Sequence, residues 1–179
     1  MIWNTFIYQM PREPQKNRMA VWRKLKSIGA LNVLQSIWVL PRNDQSAEEF
    51  KALVEYVKAN GGSAVFCTTD IPSEEDNQKY IANFNRERET DYRELLSKCR
   101  DFFEEMERET QAENFIFAEL EENEQELEKL NNWLKKIEKK DFFHCEFKQT
   151  IIEALAKCSV LLNEFSDKVY ERDGDAGNG

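Results

Sequence analysis

Arg12, Lys16, Arg18, Arg23, Lys24 and Lys26 crowd into MPREPQKNRMAVWRKLKSIG, residues 10–29, in a chain whose formal net charge is −9. Cations at this density are chemistry for anions. Guanidinium forks match tetrahedral oxyanions in geometry, and each Lys or Arg set against a DNA phosphate adds a salt-dependent increment of affinity. Residues 1–42 carry seven cations against Glu13 alone, a local balance of +6, so the remainder of the chain stands at −15. Such a split points to two regions with different partners.

At about 100° per residue, a helix over Gln15–Ile28 sets Val21, Trp22, Leu25 and Ile28 on one face and turns Lys16, Arg23 and Ser27 away. Arg18 falls between Leu25 and Trp22, on the apolar face, where an unpaired guanidinium costs several kcal/mol and needs a fixed partner. That partner is either a carboxylate of the chain or a bound oxyanion. Arg12, Arg18 and Arg88 form the candidate oxyanion set. Lys16, Arg23, Lys24 and Lys26 form the candidate set for DNA phosphates.

Other chemistries find little support. There is no Gly-rich phosphate loop, no GxSxG, no HExxH and no paired ligand spacing, so neither catalytic residues, metal ligands nor a cofactor site is expected. His144 adjoins Cys145, but neighbours on a helix point about 100° apart and are badly placed to hydrogen-bond each other. Cys67, Cys99, Cys145 and Cys158 show no CxxC spacing and read as small buried hydrophobes. The acidic run AELEENEQELEKL, residues 118–130, reads as a solvated helix face.

The elements that must position these residues follow from periodicity. Hydrophobic residues at 41% suffice for a core, while 33% charged residues with few glycines and prolines favour long amphipathic helices over a loop-rich β fold. IWNTFIY, residues 2–8, reads as a buried strand. The basic helix follows, stopped by Gly29, and residues 30–33 and 35–40 read as a hairpin ending at Pro41. Ser46 with Glu49 suggests a capping box for a helix that ends at Gly61-Gly62, and residues 64–69 return to strand. This order, β-α-β-β-α-β, predicts an α+β fold opening with a ferredoxin-like sandwich, both helices on one face.

Beyond Pro72 the pattern is helical. One stripe runs through Ile81, Phe84, Arg88, Tyr92, Leu95, Cys99, Phe102 and Met106, a second through Leu120, Leu127, Leu130, Leu134 and Ile137, and a third through Ile151, Leu155, Cys158, Leu162, Phe165 and Val169. The last two helices are expected to form an antiparallel hairpin across KKDFFHC, residues 139–145, with Asp141 capping the final helix. The expected domains are a ferredoxin-like basic domain over 1–72, a helical region over 73–172 and a disordered tail over 173–179. No window approaches the roughly 20 apolar residues that span a bilayer, and the N-terminal apolar run is too short for a signal peptide, so a cytoplasmic protein without membrane contact is expected.

The stretch YQMPREPQKNRMAVWRKLKSIGALNVLQSIWVLP, with GGSAVF at residues 61–66, the Phe84 to Tyr92 spacing and ELEKLNNWLKKIEKKDFF at residues 126–143, resembles the N-terminal domain of the ChrB-type chromate resistance regulators. The resemblance runs to about Val169. It implies a chromate-responsive transcriptional regulator whose basic N-terminal region touches DNA or senses the oxyanion. The expected partners are DNA, chromate or a sulfate-like oxyanion, and a second copy of the chain as a homodimer. Longer members carry a further C-terminal domain that is not in this sequence, which leaves open a stand-alone sensor or a partner of an effector elsewhere. The first half also resembles PaaX-type repressor domains and the small metal-dependent nuclease of CRISPR adaptation. That nuclease uses an Asp at the end of its first strand, where this sequence has Gln9 and Met10, so its catalysis is not carried over. The expected function is a non-enzymatic regulator; a divalent-metal nuclease and a helical protein-interaction module are the alternatives.

Overall fold

The computed structural model describes residues 1–176. Its elements run β1 (Ile2–Gln9), α1 (Gln15–Ser27), β2 (Leu31–Leu34), β3 (Ile37–Pro41), α2 (Asp44–Ala59), β4 (Ser63–Asp70), α3 (Glu74–Gln111), α4 (Phe117–Glu138) and α5 (Lys148–Ala176). It is a mixed α+β chain, mostly helical, with one four-stranded antiparallel sheet in the order β2-β3-β1-β4. Two compact units divide it, one of residues 1–86 with 139–143, the other of residues 87–138 with 144–179; the boundary falls inside α3.

In the first unit the alternation of β1 assigns two faces. Asn4 and Phe6 point to the α2 side: the Asn4 Nδ2 donates to Ser46 Oγ at 2.7 Å, and the Phe6 ring stacks on Phe50 at 5.5 Å. Trp3 points the other way, stacked on Phe84 at 5.7 Å, with Tyr80 and Phe143 against its edge. The Trp3 indole N–H donates to Asn77 Oδ1 at 2.9 Å, in full burial. Segment 139–143 therefore belongs to this core through Phe142 and Phe143, both packed on Phe84.

The helices α1 and α2 end by the same device. Ala30 N–H bonds Leu25 O and Gly29 N–H bonds Lys26 O at the end of α1; Gly62 N–H bonds Val57 O and Gly61 N–H bonds Lys58 O at the end of α2. These are Schellman closures, which need a left-handed residue, and Gly29 (φ 74°) and Gly61 (φ 76°) supply it. At Gly62 a Cβ would stand 2.6 Å from Gln9 O, so this position requires glycine for the close approach of α2 to the end of β1.

Three local expectations are corrected. The capping box of α2 lies one turn earlier than Ser46–Glu49: Asn43 is the cap, its side chain accepting from Ser46 N–H at 2.7 Å while Asn43 N–H donates to Ser46 Oγ. Asp141 stands seven residues before the start of the last helix at Lys148, outside its N-cap position, and is buried within the first unit. The tail expected to be disordered from 173 is helical through Ala176, and residues 177–179 lie outside the described residues.

The second unit is a helical bundle of the C-terminal part of α3 with α4 and α5. The first stripe is shared: Ile81 and Phe84 pack in the core of the first unit, and from Tyr92 onward it closes with the second and third stripes into one core. Contacts of Phe117 with Tyr170 at 5.3 Å and of Lys148 with Glu138 at 2.9 Å join opposite ends of α4 and α5, which run antiparallel as the spacing predicts. Cys99 and Cys158 meet in this core and share a thiol hydrogen bond that lowers the Cys99 pKa and raises that of Cys158. Cys145 is buried as expected; Cys67, on β4, is only half-buried.

Candidate functional site

The basic helix is where the chemistry of the sequence gathers. α1 holds Lys16, Arg18, Arg23, Lys24 and Lys26 with no acidic residue, and its buried residues are Val21 and Leu25. The buried face is thus centred between these two, about 60 to 80° away from Trp22 on a helical wheel. Trp22 is 45% exposed and Met19 36% exposed. This corrects the expected face. The helix presents a stripe of Arg18, Trp22 and Lys26, spaced by four, beside Lys16 and Arg23.

Arg18 is exposed, not held in the apolar face. It lies in the first turn, where a long side chain can lay its methylenes on the protein and keep its head in water. Its neighbour is Tyr8: burial pushes the phenol pKa up, and the nearby Arg18 charge pulls it partly back. Arg12 is exposed in the turn after β1. Arg88, by contrast, is 4% exposed in the second unit and faces carboxylates of its own helix, Asp91 at 3.2 Å and Glu87 at 3.5 Å. The internal carboxylate anticipated for Arg18 is realised at Arg88.

Of the cations assigned to phosphate contact, Lys16 and Arg23 are exposed, and among the described residues neither has an ion pair. Lys24 is held by Glu49 of α2 at 2.6 Å. The Lys26 ammonium lies 5.8 Å over the Trp38 ring. Lys24 and Glu49 also border a cavity of about 310 Å³ with Asn43 and Ser46 at the start of α2 and with Lys139 and Lys140. The two lysines of segment 139–143 were not anticipated there; only the packing of Phe142 and Phe143 on Phe84 brings them in.

His144 takes a left-handed conformation (φ 56°) and is exposed, whereas Cys145 is buried. Among the described residues no group of three or more His, Cys, Asp or Glu could hold a metal ion, and no helix is long and apolar enough to cross a membrane.

The family model described as "Protein ChrB, N-terminal" matches residues 18–176. The chain belongs to the ChrB N-terminal family. The match takes in most of α1, the whole of the remaining sheet and α3 to α5. Membership of the ChrB family associates the chain with chromate resistance. No curated protein and no solved structure gives a significant match.

Proposed function

We propose that this ChrB-family chain is a non-enzymatic, cytoplasmic regulator of chromate resistance that docks on DNA through α1. The observation that carries the reading is the exposed cationic surface of that helix: Lys16, Arg18 and Arg23 stand in solvent with no acidic residue on the helix to neutralise them. Exposed cations cost little to keep and release counterions when set against phosphate. Trp22, between Arg18 and Lys26 on one stripe, adds an aromatic surface of the kind that stacks on unpaired bases. The strand order β2-β3-β1-β4, with α1 and α2 linked by Lys24–Glu49 on the Phe6 face, supports the finer reading of the first unit as a ferredoxin-like sandwich.

For the oxyanion, the cavity at the start of α2 bordered by Lys139 and Lys140, with Lys24 engaged by Glu49 on its rim, is favoured over the set Arg12, Arg18 and Arg88, because its cations line one cavity whereas Arg88 is buried against two carboxylates. A tetrahedral oxyanion there would meet ammonium groups and the positive end of a helix. The test is fluorescence anisotropy of labelled promoter DNA with increasing chromate, with sulfate as isostere, repeated with magnesium. Binding that chromate releases and magnesium leaves intact is expected. Cutting of the DNA that a chelator stops would replace this reading with a nuclease, and no binding at low salt would leave a protein-interaction module.

A further inference from the structure

The two edges of the sheet are built differently. β2 is four residues long, its pairing with β3 is irregular between Asn32 and Leu34, and the Asn32 side chain occupies the carbonyls of Leu34 and Ile37. Short, bulged and side-chain-blocked strands are the usual protection of a sheet edge. β4 has none of it. It runs eight residues in unbroken register with β1, and from Ser63 to Thr69 it has no charged residue and no proline.

The hydrogen-bond phase of this edge can be read. Ile71 N–H donates to Met1 O at 3.2 Å and the Met1 amino group donates to Ile71 O at 3.2 Å, so this is a bonded pair. Bonded pairs alternate along an antiparallel ladder, which makes Trp3/Thr69, Thr5/Cys67 and Ile7/Val65 the next ones. The far side of β1 agrees, since Tyr8 N–H turns to Ser36 O. The backbone groups of Ala64, Phe66 and Thr68 therefore point away from β1. Among the described residues no strand lies beyond β4, and no backbone group bonds these three from outside.

We propose that β4 is a homodimer interface, in which the β4 strands of two copies pair antiparallel about a two-fold axis through Phe66 and join their sheets into one. The strand is complementary to itself in that register. Phe66 meets Phe66 of the partner copy and Ala64 meets its Thr68 at bonded positions, so each outward residue exchanges both backbone bonds. Val65 meets Cys67 of the partner copy at non-bonded positions on the opposite face. Apolar or uncharged side chains thus face each other on both sides of the sheet, and Asp70, the charged residue of β4, falls beyond the paired stretch. Val65, 57% exposed beside Ile7 at 39%, gains cover from the second copy. A charged or proline-containing strand from another protein would satisfy the edge less well than this uncharged one satisfies itself.

The test is the mass in solution of the full chain by light scattering across the micromolar range. The wild type is expected at twice the 21.2 kDa chain mass. Thr68→Pro removes one outward N–H and leaves the β1 ladder untouched, and Val65→Lys sets a charge at the pairing surface; each should halve the mass with an unchanged circular dichroism spectrum. Register is read by Val65→Cys, which places a thiol opposite Cys67 of the partner at a Cα separation of about 4.5 Å, within disulfide reach. Mild oxidation should then yield a covalent dimer that Val65→Cys/Cys67→Ser does not form. A wild type that stays monomeric, or a dimer that survives both edge substitutions, would overturn the interface. Efficient cross-linking of the wild type through Cys67 alone would overturn the axis at Phe66.

Discussion

Replacing Lys16, Arg18 and Arg23 together by alanine removes the exposed cations of α1 other than Lys24 while leaving its packing, since the helix is anchored by Val21 and Leu25. Each phosphate contact contributes about 0.9 to the slope of log affinity against log salt, so losing three contacts should flatten the slope by about 2.7. Between 50 and 200 mM salt, a change of about 0.6 log units, the wild type should lose about 40-fold more affinity than the triple variant. Lys24→Ala is expected to lose less than one contact from the slope, because Lys24 is already engaged by Glu49 at 2.6 Å. The assay is anisotropy of a labelled duplex at four or more salt concentrations, with thermal melts confirming that these surface changes stay within about 0.5 kcal/mol of wild-type stability. Parallel salt plots for wild type and triple variant would refute α1 as the phosphate-contacting element.

Three further outcomes test the packing. Asn77→Leu strands the buried Trp3 indole N–H and removes one of the two hydrogen bonds accepted by each of the Ile71 and Ser73 carbonyls, and should cost about 1 to 3 kcal/mol in urea unfolding followed by tryptophan fluorescence. Phe84→Ala opens a hole under Trp3, Phe142 and Phe143 and should cost about 3 to 5 kcal/mol by the same measurement; a loss under about 1 kcal/mol would mean that segment 139–143 does not belong to this core. Because the Tyr8 pKa is raised in the folded protein, the folded state keeps the phenol proton longer than the unfolded one, so Tyr8 stabilises below its ordinary pKa and this contribution is lost as pH rises beyond it. Difference absorbance titration against Tyr8→Phe should place this phenol above an ordinary tyrosine, and Arg18→Ala should move it higher still; a downward movement would show that Arg18 does not act on Tyr8.

What local sequence determined was everything governed by neighbours a few residues away. The β-branched and aromatic run at residues 2–8, the helical period from Gln15 and the glycines at 29 and 61 are short-range signals, and each marks an element or its end as expected. The apolar stripes of the helical half are buried as expected, from Tyr92 onward in one core and at Ile81 and Phe84 in the first unit's, because a helix carries its own face with it. Even the carboxylates against Arg88 were legible in principle, since Asp91 stands three residues away. Tertiary structure alone decided where a face is covered. The helical angle puts Arg18 among apolar neighbours, yet it is exposed, and Trp22 turns out to solvent, because the sheet meets α1 at Val21 and Leu25. Ser46–Glu49 and Asn43–Ser46 are both plausible caps by pattern; Asn4, thirty-nine residues upstream, donates to Asn43 O and Ser46 Oγ and favours the second. Phe142 and Phe143 join a core nearly sixty residues earlier at Phe84, carrying Lys139 and Lys140 to the cavity beside α2, and no local period encodes a contact of that span.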